Sequence, residues 1–211
     1  MKHAKISLLI LATLSFFSCL IYKQELNIFS DGSATLNMSY SIDRKNLQDL
    51  NDLNKALRNS AGNSTINYFN EEEIKGYLDS FEDIKSHSVR VHSDQKRTYV
   101  DIKIEISNLR NVLNAGLIPY ARLSKNEDNW RFSYSTPYDF GEVKDRSART
   151  RINQIQMKLT INTPSDIVSS SKEDFSKRSV VWKFTPKDKK QVSDIPNSFF
   201  VEFSGEKISF D

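Results

Sequence analysis

Thr98-Tyr99-Val100-Asp101-Ile102-Lys103-Ile104-Glu105-Ile106 alternates without a break, with Val100, Ile102, Ile104 and Ile106 on one side and Tyr99, Asp101, Lys103 and Glu105 on the other. Side chains along a strand point to opposite faces in turn, so this stretch predicts a half-buried strand with one wet face. The same period recurs at Leu36, Met38, Tyr40 and Ile42, at Val89 and Val91, and at Trp130, Phe132 and Tyr134. It returns at Ile155, Met157, Leu159 and Ile161, at Val180, Trp182 and Phe184, and at Phe199, Val201 and Phe203. Seven such segments argue for a mainly antiparallel sheet.

Turn chemistry joins several of these strands. Asp31-Gly32 separates Leu26 and Ile28 from the alternation that starts at Leu36, and both residues tolerate positive φ, so it predicts a hairpin. Asp94-Gln95-Lys96-Arg97 reads as a second hairpin turn, although it has no glycine, and Asn126 to Asn129 turns a short strand at Ala121 to Leu123 into the Trp130 strand. Pro164 and Pro186 each close a strand, because proline cannot donate to the ladder.

Helical periodicity is confined to fewer places. Leu47, Leu50, Leu53 and Leu57 predict an amphipathic helix over residues 44 to 60, with Asp43 as N-cap. A second helix runs from Glu71 to Phe81, capped by Asn70, with Glu71, Glu72 and Glu73 complementing the positive end of its dipole. Asn108 to Ala115 is a third, short one that ends near Gly116. Together these readings give an α+β fold: a mainly antiparallel sheet with two to three helices packed on one face.

The N-terminal segment concerns location. A basic start (Lys2, His3, Lys5) precedes an apolar run from Ile6 to Phe17, and small Ser18 stands directly before Cys19, the only cysteine in 211 residues. This layout is that of a secretory signal peptide. The segment resembles a bacterial lipoprotein signal, whose cysteine receives a diacylglyceryl group after export. A stricter box carries Leu three positions ahead and Ala or Gly just before the cysteine. This chain has Phe16 and Ser18, similar to the relaxed boxes of spirochaete lipoproteins. The resemblance implies lipidation at Cys19, a signal peptide over residues 1–18, a lipidated anchor and short tether over 19–23, and one extracytoplasmic domain over 24–211. Read without it, the uncharged stretch from Ile6 to Tyr22 is an uncleaved anchor near the lower length limit for a span. Both readings place the rest of the chain outside the cytoplasm beside a membrane.

Composition agrees with an exported domain. Loss of residues 1–18 removes Lys2 and Lys5 from the 30 basic residues and none of the 27 acidic ones, which leaves a nearly neutral body. Such a balance gives no electrostatic reason to expect nucleic acid. A single cysteine excludes a disulfide within the chain.

Few residues carry chemistry. His87 and His92, five apart, fall on opposite faces of a strand and cannot share a metal within it. His87 shares its face with Val89 and Val91 and reads as a partly buried sheet residue. No His-Glu-x-x-His or Gly-x-Ser-x-Gly is present, so neither enzyme activity nor a cofactor is expected. Glu71-Glu72-Glu73 fans out around a helix axis instead of converging on an ion. Two basic clusters, Lys144, Arg146, Arg149 and Arg151, and Lys183, Lys187, Lys189 and Lys190, suit contact with an anionic membrane surface. Among the aromatic residues near the C-terminus, Phe200 faces away from Phe199, Val201 and Phe203.

In element order, and in Ser30-Asp31-Gly32-Ser33-Ala34 and Val181-Trp182-Lys183-Phe184, about residues 19 to 186 resemble the LppM-like bacterial lipoprotein domains. That resemblance implies an extracytoplasmic α+β module on a membrane anchor, with a lipid or glycolipid as ligand. The function expected is therefore a non-enzymatic, membrane-anchored module that binds a lipid or another amphiphile. The alternative is an interaction lipoprotein that binds an envelope or host protein.

Overall fold

The computed structural model describes residues 20–47, 66–135, 150, 153–172, 174–185, 198–206 and 208–210. Its strands are β1 (Ile21–Ile28), β2 (Ala34–Asp43), β3 (Ile84–Ser93), β4 (Arg97–Ile106), β5 (Ala121–Asn126), β6 (Asn129–Ser135), β7 (Gln156–Asn162), β8 (Ile167–Ser170), β9 (Ser179–Phe184) and β10 (Ser198–Ser204). Its helices are α1 (Glu71–Leu78) and α2 (Leu109–Ala115), and residues 44–47 make one further helical turn. The rest of the predicted 44 to 60 helix lies outside the described residues. The fold is α+β and mainly antiparallel.

The strands form two sheets rather than one: six strands in the order β3-β4-β2-β1-β7-β9 and four in the order β5-β6-β10-β8. Local alternation shows that a strand has a wet face but not which sheet it joins. Every pairing is antiparallel except β1 with β7, which is parallel and needs the crossover of β2 to β6 between its strands. Residues 21–23, expected to belong to a tether, are the first residues of β1. Ladder hydrogen bonds to β2 and β7 on both sides hold them in the sheet.

Register places the apolar alternations together. Leu26 lies opposite Leu36 and Ile161, Leu36 opposite Ile104, and Ile161 opposite Val180. The inner face of the large sheet therefore carries the apolar half of every strand. The inner face of the small sheet carries Leu123, Trp130, Phe132, Val201 and Phe203, and both contribute to one core with α1 and α2. Trp182 of β9 meets Phe199 of β10 with ring centroids 5.1 Å apart, which joins the sheets. Burying side chains of this size contributes about 1.5–3 kcal/mol each.

The caps and turns follow their chemistry. Asn70 accepts from the N–H groups of Glu72 and Glu73, Asn108 accepts from that of Asn111, and Gly116 ends α2 in the left-handed region at φ 94°. Phe81, included in the predicted helix, lies beyond the end of α1, in the turn before β3. In the first hairpin Gly32 takes φ 85°, while Asp31 accepts from the Ser33 N–H and hydroxyl. The glycine-free turn at Asp94 works differently. Its carboxylate accepts from the N–H groups of Lys96 and Arg97, both at 2.7 Å, and from the Tyr99 hydroxyl at 2.8 Å. Near the C-terminus Phe210 is buried against Trp130 at 4.6 Å, and the Ser209 N–H bonds the Ser30 carbonyl, so the tail closes over the first hairpin.

Candidate functional site: an aromatic trough

The inner face of the large sheet is not buried evenly. Leu26, Ile28, Ala34, Leu36, Ile104 and Ile161 are sealed. Toward the start of β1, the central strands carry Tyr22, Gln24, Met38, Tyr40, Met157 and Leu159, all only half-buried. Flanking positions at the same level are covered: Val100 and Ile102 of β4 on one side, Trp182 and Phe184 of β9 on the other. A sheet normally buries its centre best, so burial that is lowest in the middle and high at the flanks defines a trough. These six residues are its floor.

Register explains why they meet. Tyr22 pairs with Tyr40 and Met157, and Gln24 pairs with Met38 and Leu159, so the two cross-strand rows point the same way. The Tyr22 and Tyr40 rings stack at 6.4 Å, and Phe69 stands edge-on to Tyr40 at 5.4 Å. On the side of the small sheet, Tyr134 stacks on Phe199 at 4.9 Å. The Tyr22 hydroxyl donates to Gln24 Oε1 at 2.6 Å, and that of Tyr40 donates to the Tyr68 carbonyl at 2.6 Å. The hydroxyls of Tyr68, Tyr77 and Tyr134 make no hydrogen bond among the described residues.

Electrostatics agree with a recessed apolar site. Burial pushes the Tyr22, Tyr40 and Tyr68 hydroxyls well above the ordinary tyrosine value, because the phenolate form would lose its hydration. Neighbouring tyrosines add to the effect: Tyr134 on Tyr22, Tyr22 and Tyr68 on Tyr40, and Tyr77 on Tyr68. A line of tyrosines thus runs from α1 across the sheet to β6. The surface is aromatic and uncharged, with polar tips at a few places, which is the composition of a site for the apolar body of a small molecule.

The other residues singled out in the sequence are placed as follows. Cys19, Lys144, Arg146, Arg149 and Arg151 lie outside the described residues, as do Lys187, Lys189 and Lys190. Lys183 is exposed on the outer face of β9. His87 faces inward, largely buried, and its Nε2 is 2.7 Å from the Asp79 carboxylate at the end of α1. His92 is on the outer face, stacked on Tyr99 at 5.1 Å. The structure keeps the two histidines apart. Among the described residues no three His, Cys, Asp or Glu side chains are arranged to hold a metal.

The three glutamates of α1 diverge. Glu71 bonds Lys75 at 2.7 Å and accepts the Val91 N–H of the β3 edge at 3.0 Å, while Glu73 accepts the Asn67 N–H at 2.9 Å. The Lys75 ammonium, followed by the Val91 N–H, holds the Glu71 carboxyl below the usual carboxylate range. Phe200 is half-buried on the outer face, covered by the Arg131 guanidinium 3.7 Å from its ring centroid.

Sequence reasoning expected a lipid or another amphiphile as ligand but read Met38, Tyr40, Met157 and Leu159 only as strand positions. Tyr22, Met38, Tyr40, Met157 and Leu159 are indistinguishable by pattern from the sealed positions of the same strands. The one local signal was Gln24, a polar residue at an inward position between Tyr22 and Leu26.

No protein-family model matches the sequence, and no curated protein matches it. Among solved structures, the NMR structure of the folded domain of Mycobacterium tuberculosis LppM is similar at TM-score 0.49 and 12% identity, over 90% of this chain and 94% of that chain. The Fcho1 mu homology domain of Danio rerio with bound Eps15 peptide is similar at TM-score 0.22 and 9% identity, over 88% of this chain and 78% of that one. The first belongs to the family that the Asp31-Gly32 and Trp182 segments resemble. At these distances neither likeness carries a functional argument.

Proposed function

We propose that this chain is a membrane-anchored lipoprotein domain of the cell envelope that holds the apolar part of an amphiphile, a lipid or glycolipid, in the trough floored by Tyr22, Met38, Tyr40, Met157 and Leu159. The observation that carries this reading is the half-open, uncharged stretch of the central strands between the covered Val100 and Ile102 of β4 and Trp182 and Phe184 of β9. Apolar surface recessed between covered flanks gains most from an apolar occupant. The polar tips of Gln24, Tyr68 and Tyr134 then fix the occupant's orientation.

The position of the anchor supports a membrane lipid. Strand β1 starts at Ile21, and the trough floor begins at Tyr22, so an acyl group on Cys19 sits within a few residues of the site. No helix among the described residues is long and apolar enough to cross a membrane. The reading assigns attachment to the segment that ends at Cys19.

Native mass spectrometry of the full chain, released from detergent, tests the proposal. The expected spectrum contains a co-purified lipid mass that disappears when Leu159→Trp fills the trough. A lipid-free wild-type protein that also fails to bind a fluorescent lysophospholipid would end the amphiphile reading, and capture of an envelope protein by that lipid-free chain would favour the scaffold alternative.

A further inference from the structure

Between the carboxyl ends of β1 and β7 lies a hollow of about 340 Å³, whose lining includes Asn27, Phe29, Asn162, Pro164 and Arg178. Because the two strands are parallel, both end at the same rim of the large sheet, and their connections part there. Phe29-Ser30 turns back toward β2, whereas Thr163-Pro164 leads to β8 of the other sheet. Chains that leave neighbouring strand ends in different directions open a crevice between them. The hollow is separate from the trough: Tyr22 and Asn27 face opposite sides of β1, and roughly 16 Å of strand lies between them.

Its polar lining is held in one arrangement. Asn27 stands opposite Thr35 of β2 on one side and Asn162 of β7 on the other. The Asn27 amide donates to the Thr35 hydroxyl at 3.0 Å, and the Asn162 amide donates to Asn27 Oδ1 at 2.6 Å and to Glu25 Oε1 at 3.2 Å. Asparagine is disfavoured in strands, yet two stand side by side here with both amides oriented by these bonds. The bonds use only part of the capacity of these groups. Asn162 Oδ1, Glu25 Oε2 and the Arg178 Nη groups make no hydrogen bond among the described residues. Beside them the Phe29 ring is 45% exposed.

We propose that this hollow is a binding site for a neutral saccharide, distinct from the trough. A sugar ring has an apolar C–H face and a rim of hydroxyls, each of which both donates and accepts. The Phe29 ring suits the face, while Asn162 Oδ1, Glu25 Oε2 and the Arg178 guanidinium supply acceptors and donors for the rim. The bonds among Glu25, Asn27, Thr35 and Asn162 order these side chains in advance, which lowers the cost of binding. Charge selects a neutral ligand over an anion. Arg178 bonds the Asp166 carboxylate at 3.2 Å, Lys177 pairs with the same carboxylate at 3.2 Å, and Glu25 stands beside the amides. Two cations thus face two carboxylates, with no net charge to draw an anion. The volume falls in the range of about 300–1,000 Å³ that small-molecule sites occupy.

Saturation-transfer difference NMR tests this on the full chain, held in a detergent whose headgroup is not a sugar. The probes are the methyl glycosides of glucose, galactose, mannose and N-acetylglucosamine. The expected result is millimolar binding of at least one of them, with saturation strongest at its ring C–H protons. Phe29→Ala and Asn162→Ala should each weaken that binding about five- to tenfold, and Leu159→Trp should leave it unchanged, so this site and the trough fail separately. Phe29 is exposed beyond the end of its strand, so its replacement leaves the fold intact. Absence of transfer to all the glycosides would overturn the proposal, as would affinity unchanged in both variants or tighter binding of glucuronate than of the neutral sugars. Competition in the Leu159→Trp background then identifies the source of the sugar. Stronger displacement by a diacylglycerol carrying the same sugar than by its soluble oligosaccharide assigns it to a lipid headgroup, and the reverse order assigns it to a polysaccharide; both orders support the site.

Discussion

Tyr22 and Tyr40 stack across β1 and β2 with ring centroids 6.4 Å apart and planes within 22° of each other, yet each keeps part of its surface open to solvent. Their hydroxyls are used unequally. That of Tyr40 donates to the backbone carbonyl of Tyr68 and ties the segment before α1 to the sheet, whereas that of Tyr22 donates to the half-buried side chain of Gln24.

Tyr40→Phe is therefore expected to cost about 1 kcal/mol, because it leaves the Tyr68 carbonyl without its donor. In a chain of this size that lowers Tm by about 2–4 °C. Tyr22→Phe should cost less, since the Gln24 amide can turn to water. Differential scanning calorimetry of the two variants checks the order, and the reverse order would show that the Tyr40 bond is not the tie.

Alkaline pH should unfold the protein in a definite window. Burial raises the hydroxyl pKa values of Tyr22, Tyr40 and Tyr68 above the ordinary value of 10.0, so above that pH the unfolded chain loses protons that the folded chain retains. The stabilisation is complete below pH 10 and declines as pH rises past it toward the folded-state values. A tyrosinate absorbance titration should show some of the eight tyrosines ionising near pH 10 and the buried set only as the fold is lost. Ionisation of all eight in one step without unfolding would contradict it.

Phe210→Ala should be among the most destabilising single changes near either end of the described chain. The ring is 2% exposed and lies against Trp130 and Phe203, so its loss leaves a cavity costing about 3–5 kcal/mol. Urea denaturation followed by tryptophan fluorescence measures this, with a red shift in the native baseline as water reaches Trp130.

Two glycines should respond with opposite signs. A β-carbon at Gly205 would overlap the Asp128 carbonyl oxygen, to which the Gly205 N–H is bonded at 2.9 Å, so Gly205→Ala is expected to cost about 1–3 kcal/mol or more. Gly76 lies in α1 with open space around it, and Gly76→Ala should stabilise by about 0.5–1 kcal/mol through helix propensity. Chemical denaturation of the pair decides both.

What was legible in the sequence was local. The alternation of Val100 to Ile106, the caps at Asn70 and Asn108, the left-handed Gly116 and the Asp31-Gly32 turn each depend on neighbours a few residues away, and the structure has each in place. The Asp94 turn was legible only as an interval between strands, because its carboxylate replaces the glycine that usually marks such a turn. Strand β8 was missed because Ile167-Val168-Ser169-Ser170 is too short to show a period.

Partnership between distant segments was not legible. Nothing in β10 indicates that it pairs with β6 and β8 instead of joining the large sheet, and nothing in Phe200 indicates the Arg131 guanidinium that covers it. The trough is hidden for the same reason. Met38 and Leu36 occupy equivalent positions in the period, and only what packs above them separates floor from core.

The parallel ladder between β1 and β7 also bears on how the molecule is made. Asn27 and Asn162, which bond across it, are 135 residues apart, so the first strand gains its second neighbour only after the intervening chain has been delivered to the folding compartment. During that interval the strand pairs with β2 alone and presents a bare row of amides and carbonyls on its other side. The nascent chain is then most open to mispairing with another copy of itself, and a holding chaperone would do most good there.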